Sequence, residues 1–193
     1  MWMSDNITRN SLMPMNVSEW SPLRRKFMPK LIKDGAFIEN KWHLFDKETD
    51  VEAINSINDG NYIVPLKLWL DNKELFSKKT GDIGIWLDSD ESPLSLEADV
   101  NDFSVIALNF PIFRDGRSFS HAAILRQQLN FKEDLRAIGD VQRDQLSYML
   151  SCGFSSFLVP EEANEEVLLA GFHDFSENYQ STVAKPTPLF RRR

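Results

Sequence analysis

One cysteine, Cys152, is all the thiol chemistry in this 193-residue chain. That excludes an internal disulfide and a zinc cluster built on cysteines. Basic charge is also in the minority: 22 Lys and Arg stand against 29 Asp and Glu, a formal net charge of -7. Non-specific nucleic-acid binding needs clustered cations to displace counterions, so nucleic acid is not an expected partner. No apolar run approaches the roughly 20 residues of a membrane helix. The first 20 residues have neither a basic leader nor an apolar stretch, so no signal peptide and no membrane are expected, and a cytoplasmic location is. GxGxxG, Walker and CxxC motifs are all missing. Nothing therefore points to a nicotinamide, flavin, haem or iron–sulfur cofactor, and none is expected.

What remains is ordinary for a globular chain, with 42% apolar and 26% charged residues. The length suits a single domain with a real core. Residues 1–22 are polar and methionine-rich without a sustained period, and read as a disordered or loosely docked extension. Residues 23–185 read as one α/β domain, with a hairpin region at 31–80 and strand–helix units at 81–180. Residues 186–193 read as a flexible basic tail. In the hairpin region, Ala36–Glu39 and Lys41–Phe45 flank Asn40 as a candidate turn, and Asp34-Gly35 forms another before it. Asn58-Asp59-Gly60-Asn61 is a further turn. A short helix follows Pro65.

From Gly81 onward, strands alternate with helices. The expected strands are Ile83–Leu87, Val105–Phe110, Leu135–Ile138 and Ser156–Val159. Ser92-Pro93, Ser118 or Ser120, Asp140 and the stretch at Pro160 are the expected helix starts, and Gly153 is an expected helix stop. Apolar strands without polar alternation imply a mainly parallel sheet covered on both faces. An open sheet with right-handed crossovers is the expectation, and a partial βα barrel is the alternative.

In such a sheet the strand-to-helix turns share one edge, where ligands bind. The turns carry Asp88, Asp90 and Glu91; Arg114, Asp115, Gly116, Arg117 and Ser118; Gly139 and Asp140; Glu161 and Glu162. Two arginines around Asp-Gly, ahead of a serine-bearing helix start, could hold sulfite, sulfate, phosphate or a carboxylate. They could equally pair with Asp140, Asp88 or Asp90, since residues 81–113 contain acids but no Lys or Arg. Asp140, Asp144 and His121 are the catalytic candidates, without a spelled-out Ser–His–acid set. Asp88, Asp90, Asp115 and Asp140 are oxygen ligands suited to Mg²⁺, although no metal motif is written. Arg126 suggests a salt bridge, and Arg136, inside a strand, needs Asp134 or Asp144 as a partner.

Phe110–Arg126, Leu135–Phe154 and Val64–Leu70 resemble the bacterial family catalogued as domain of unknown function 934. The likeness spans roughly residues 31–170 and is carried by Phe113, Asp115, Gly116, Arg117, Ser120, Leu125, Arg126, Arg136, Gly139, Asp140, Asp144, Gln145, Cys152 and Gly153. Members are commonly labelled oxidoreductases of sulfite reduction, because their genes lie beside that of sulfite reductase. The resemblance thus implies an accessory role in assimilatory sulfur metabolism, with sulfite reductase or a small oxyanion as partner, and supplies no catalytic residues. Two other readings stay open. One is an enzyme working through its acidic strand-end residues. The other is an interaction module in which Asp115, Arg117 and Asp140 bond only to one another.

Overall fold

A computed structural model describes residues 29–49, 60–174, 179–183 and 185–192. The expected N-terminal extension and the first half of the turn at Asn58 lie outside the described residues. Eight strands form one sheet: β1 (Lys30–Lys33), β2 (Ala36–Ile38), β3 (Trp42–Leu44), β4 (Asn61–Pro65), β5 (Ile83–Leu87), β6 (Val105–Phe110), β7 (Asp134–Gly139) and β8 (Ser156–Val159). Five α-helices accompany them among the described residues: α1 (Leu66–Asp71), α2 (Lys73–Phe76), α3 (Arg117–Ala123), α4 (Leu146–Cys152) and α5 (Glu165–Gly171). Helix α3 continues as a π turn over Ile124–Gln128, and 3₁₀ turns cover Pro93–Leu96, Val100–Asp102, Arg143–Gln145 and Leu189–Arg191.

The strand order is β2-β1-β8-β7-β6-β5-β4-β3. Strands β3 to β8 are all parallel and lie side by side in chain order, whereas β1 runs antiparallel to both β8 and β2. The sheet is therefore wound in one direction only. Each of the five described α-helices buries side chains in the same core cluster, as right-handed crossovers of a singly wound sheet would have it.

The two edge strands, β2 and β3, are separated by only Glu39–Lys41 in the chain. Eight flat strands would hold the edges roughly 33 Å apart, whereas that link can reach about 14 Å at most. The sheet must curl. The chain from Ala36 to Leu44 runs on in one direction, pairing with β1 through its first half and with β4 through its second. Contacts across the curl agree: the Arg136 guanidinium of β7 lies 5.9 Å from the ring centre of Trp42 on β3, and the Trp86 indole of β5 donates to the Phe45 carbonyl at 2.8 Å. The fold is α/β and mainly parallel, and of the two forms considered it takes the partial barrel.

This corrects two expectations. Among the described residues helices do not cover both faces; the inner face is covered by the sheet's own curl. Nor does Asn40 turn a hairpin. The hairpin is β1–β2, turned by Asp34 and Gly35, both at positive φ (52° and 72°) as a two-residue hairpin loop requires.

The curl also explains why the central strands are apolar throughout. In β6 all six residues are buried. Ile106, Leu108 and Phe110 face the larger core beneath the helices, with Leu87, Leu125, Leu146 and Phe157. Val105 and Ala107 face a smaller core inside the curl, with Leu31, Ile63, Trp86, Ile138 and Leu158.

Candidate functional site

The carboxyl ends of β5, β6 and β7 are neighbours, so the loops that follow them meet. The loop of residues 111–116, between β6 and α3, is held from both sides. On one side, Asp140 at the end of β7 accepts the Phe113 N–H through Oδ2 at 2.9 Å, and its Oδ1 accepts from the Gln142 amide. Gln145 adds a longer bond to the Phe113 carbonyl, 3.4 Å. On the other side, Asp115 takes Arg117 Nε at 3.0 Å and Nη2 at 2.6 Å, together with the Ser89 hydroxyl from the β5 loop at 2.7 Å. Arg117 Nη2 also donates to Ser89 Oγ at 2.8 Å. The Arg117 fork, with help from Ser89, holds the Asp115 carboxyl far below the usual carboxylate range.

Arg117 thus pairs two residues away with Asp115, not with Asp140, Asp88 or Asp90. Asp140 belongs to a separate set of bonds, so the closed Asp115–Arg117–Asp140 group does not form. Ser118 does not cap α3, since Gly116 is the N-cap residue. Ser118 is buried instead, and its hydroxyl donates to the Asn109 carbonyl at 2.6 Å, fixing the helix start to the end of β6. Asp140 does not cap the next helix either; α4 begins only at Leu146, after the 3₁₀ turn. Helix α5 starts at Glu165, capped by the Asn164 side chain, which accepts the Val167 N–H at 3.2 Å.

The side chains of this loop are far less restrained than its backbone. Ile112 is 49% and Phe113 51% exposed. Arg114 is exposed, and among the described residues it has neither an ion pair nor a hydrogen bond. On the adjoining α4, Tyr148 is 59% exposed and rests on Phe119 of α3, with ring centres 4.9 Å apart.

The catalytic candidates do not converge. Asp140 is bonded to the loop, and Asp144 lies exposed in the 3₁₀ turn. His121 is half-buried with Nδ1 lacking a partner among the described residues, and burial and Arg117 push its pKa down. Among the described residues no three His, Cys, Asp or Glu side chains come together as a metal site would require, so Asp88, Asp90, Asp115 and Asp140 are not a ligand set. Burial raises the pKa of Cys152, leaving it a protonated thiol.

Lys47, Ser89 and Asn109 are the site residues that sequence reasoning missed. Lys47 is bonded to Asp88, whose Oδ1 also accepts from the Asn109 amide at 3.0 Å. Burial alone would raise the Asp88 carboxyl, but Lys47, Asn109 and the Ser89 N–H hold it below its ordinary value. Asn109 was open to notice as a polar residue in an otherwise apolar strand. Lys47 carried no such signal. Among the described residues Arg126 makes no salt bridge: it donates to the Gly153, Phe131 and Glu133 carbonyls at 2.8–2.9 Å. A shallow concavity of about 720 Å³ lies elsewhere, beside α1 and α2, lined in part by Lys73, Lys78 and Lys79.

The family model described as "Bacterial protein of unknown function (DUF934)" matches residues 84–190, more than half of the chain, so the protein belongs to that family. No curated protein and no solved structure matches it. No helix among the described residues is long and apolar enough to cross a membrane.

Proposed function

We propose that this member of the DUF934 family is an accessory protein of assimilatory sulfite reduction, and that it binds sulfite reductase through the loop after β6. The observation that carries this reading is the contrast within residues 111–116. The backbone is tied to Asp140 and to the Asp115–Arg117–Ser89 set, while Ile112, Phe113 and Arg114 point outward unspent. A pinned loop loses little entropy on binding. Aromatic and arginine side chains are the groups on which interface energy concentrates. The choice of reductase rests on the family resemblance. The enzyme reading has less support, because the Asp140 carboxylate is occupied in holding the loop and Asp144 and His121 do not meet it.

Titration calorimetry against purified sulfite reductase tests the reading. Phe113→Ala and Arg114→Ala should each weaken the complex about tenfold or more while leaving the melting temperature unchanged, since both side chains are exposed. Leu70→Ala, an exposed apolar change on α1, should leave the affinity as it is. Binding that is absent in the wild type, or equal in all four proteins, would remove the docking role.

A further inference from the structure

Arg136 sits in the middle of β7 and points into the curl, where it is only 2% exposed. Its Nε donates to Ser156 Oγ at 3.1 Å and its Nη2 to Asp134 Oδ2 at 2.9 Å. Its Nη1 is fully buried and has no hydrogen-bond partner among the described residues. Both oxygens of Asp134 are already engaged with other donors. The Oδ1 atom accepts from Ser155 Oγ at 2.7 Å and lies 3.7 Å from Lys33 Nζ. The Oδ2 atom accepts from Ser156 Oγ at 2.9 Å as well as from Arg136. Two cations therefore share one carboxylate: Arg136, buried in the curl, and Lys33, which reaches Asp134 from the rim with its side chain 38% exposed.

A buried cationic N–H without an acceptor is costly, and native proteins rarely leave one unmet. The missing partner has to be an oxygen acceptor, and the surplus positive charge favours one that is negative. The packed interior requires it to be compact. The cover over the guanidinium is a single residue at the sheet edge. Trp42 covers the guanidinium from β3, is itself only partly buried, and belongs to a three-residue edge strand that pairs on one side with β4 alone. We propose that Arg136 and Lys33 form a site for a compact oxyanion, a carboxylate or an oxyanion of sulfur or phosphorus, held at Arg136 Nη1 beneath Trp42. The site is separate from the loop after β6 and stands or falls independently of the docking role.

The test uses the full-length chain, ¹⁵N-labelled, with the Arg136 guanidinium resonances assigned by through-bond correlation so that no Arg136 variant need fold. Sodium sulfite, inorganic phosphate and sodium formate are titrated separately at constant ionic strength. The expected result is a saturable shift of the Arg136 Nη signals with at least one of the three. That anion should also raise the melting temperature of the wild type, and Lys33→Ala should bind it severalfold more weakly. The anion that acts distinguishes an inorganic oxyanion from a carboxylate. Arg136 signals unmoved by all three anions would overturn the site and leave a buried water as the partner of Nη1. A shift whose midpoint is unchanged in Lys33→Ala would overturn it equally.

Discussion

Replacing Asp134 with alanine is expected to cost about 3–5 kcal/mol of unfolding free energy, the range seen when one partner of a buried ion pair is removed. Asp134 is 8% exposed and Arg136 2%. The carboxylate gathers Arg136, Ser155 and Ser156 at hydrogen-bond distance. Without it, the guanidinium stays in an apolar interior with two of its three nitrogens unpaired. Urea unfolding measures the loss directly. Asp134→Leu combined with Arg136→Met should recover much of it, because apolar replacement of both partners removes the stranded charge as well. A double variant as unstable as Asp134→Ala would show that the pair acts through something other than charge compensation.

The same carboxylate sets an acid limit. Burial alone would raise the Asp134 carboxyl, but the Ser155 hydroxyl and Arg136 outweigh it, so its folded pKa lies below the ordinary value. In the window between the folded and unfolded values the unfolded chain binds the extra proton, so stability rises with pH there. The contribution is complete above the ordinary carboxylate pKa of about 4 and is lost as pH falls through the folded value. Melting temperature should therefore drop more steeply below about pH 4 in the wild type than in the double variant.

Gly139→Ala should be nearly as damaging, at about 3 kcal/mol. Gly139 ends β7 at a φ of +89°, where a side chain is strained in any surroundings. A Cβ there would fall 2.4 Å from the Phe110 carbonyl oxygen and 2.5 Å from Asn109 Oδ1. The oxygen cannot retreat freely, because it also accepts the Asp140 N–H at 2.7 Å. The next residue is thus displaced, and with it the carboxylate that holds Phe113. The variant should lose stability in urea and lose reductase affinity in parallel. Full affinity at reduced stability would separate the loop from the end of β7.

Much of this architecture was legible in the residues. Ile83–Leu87, Val105–Phe110 and Ser156–Val159 are strands with the expected limits, because continuous apolar runs bounded by turn residues admit few alternatives. Asp134 as the partner of Arg136 was also within reach, since residues two apart on a strand share a face. The curl was not. It depends on β1 pairing with β8, more than a hundred residues away in the chain, and no local pattern records that. Asn40 looked like a turn because nothing local shows that one extended segment serves β1 and β4 in succession. At the site, the residue types were readable but their bonding was not. Arg117 had several acids in plausible reach, and only the folded loop shows that Asp115 takes it. Arg126 reads as a charge seeking a charge, yet three carbonyl oxygens converge on it and Gly153 leaves room for its stem.

Hydrogen–deuterium exchange of the wild-type protein, alone and saturated with sulfite reductase, tests the docking role most directly. Exchange should slow in residues 111–117 and along α4, with α1 and α2 unaffected. Protection centred on α1 and α2, or no protection anywhere at saturating reductase, would contradict it.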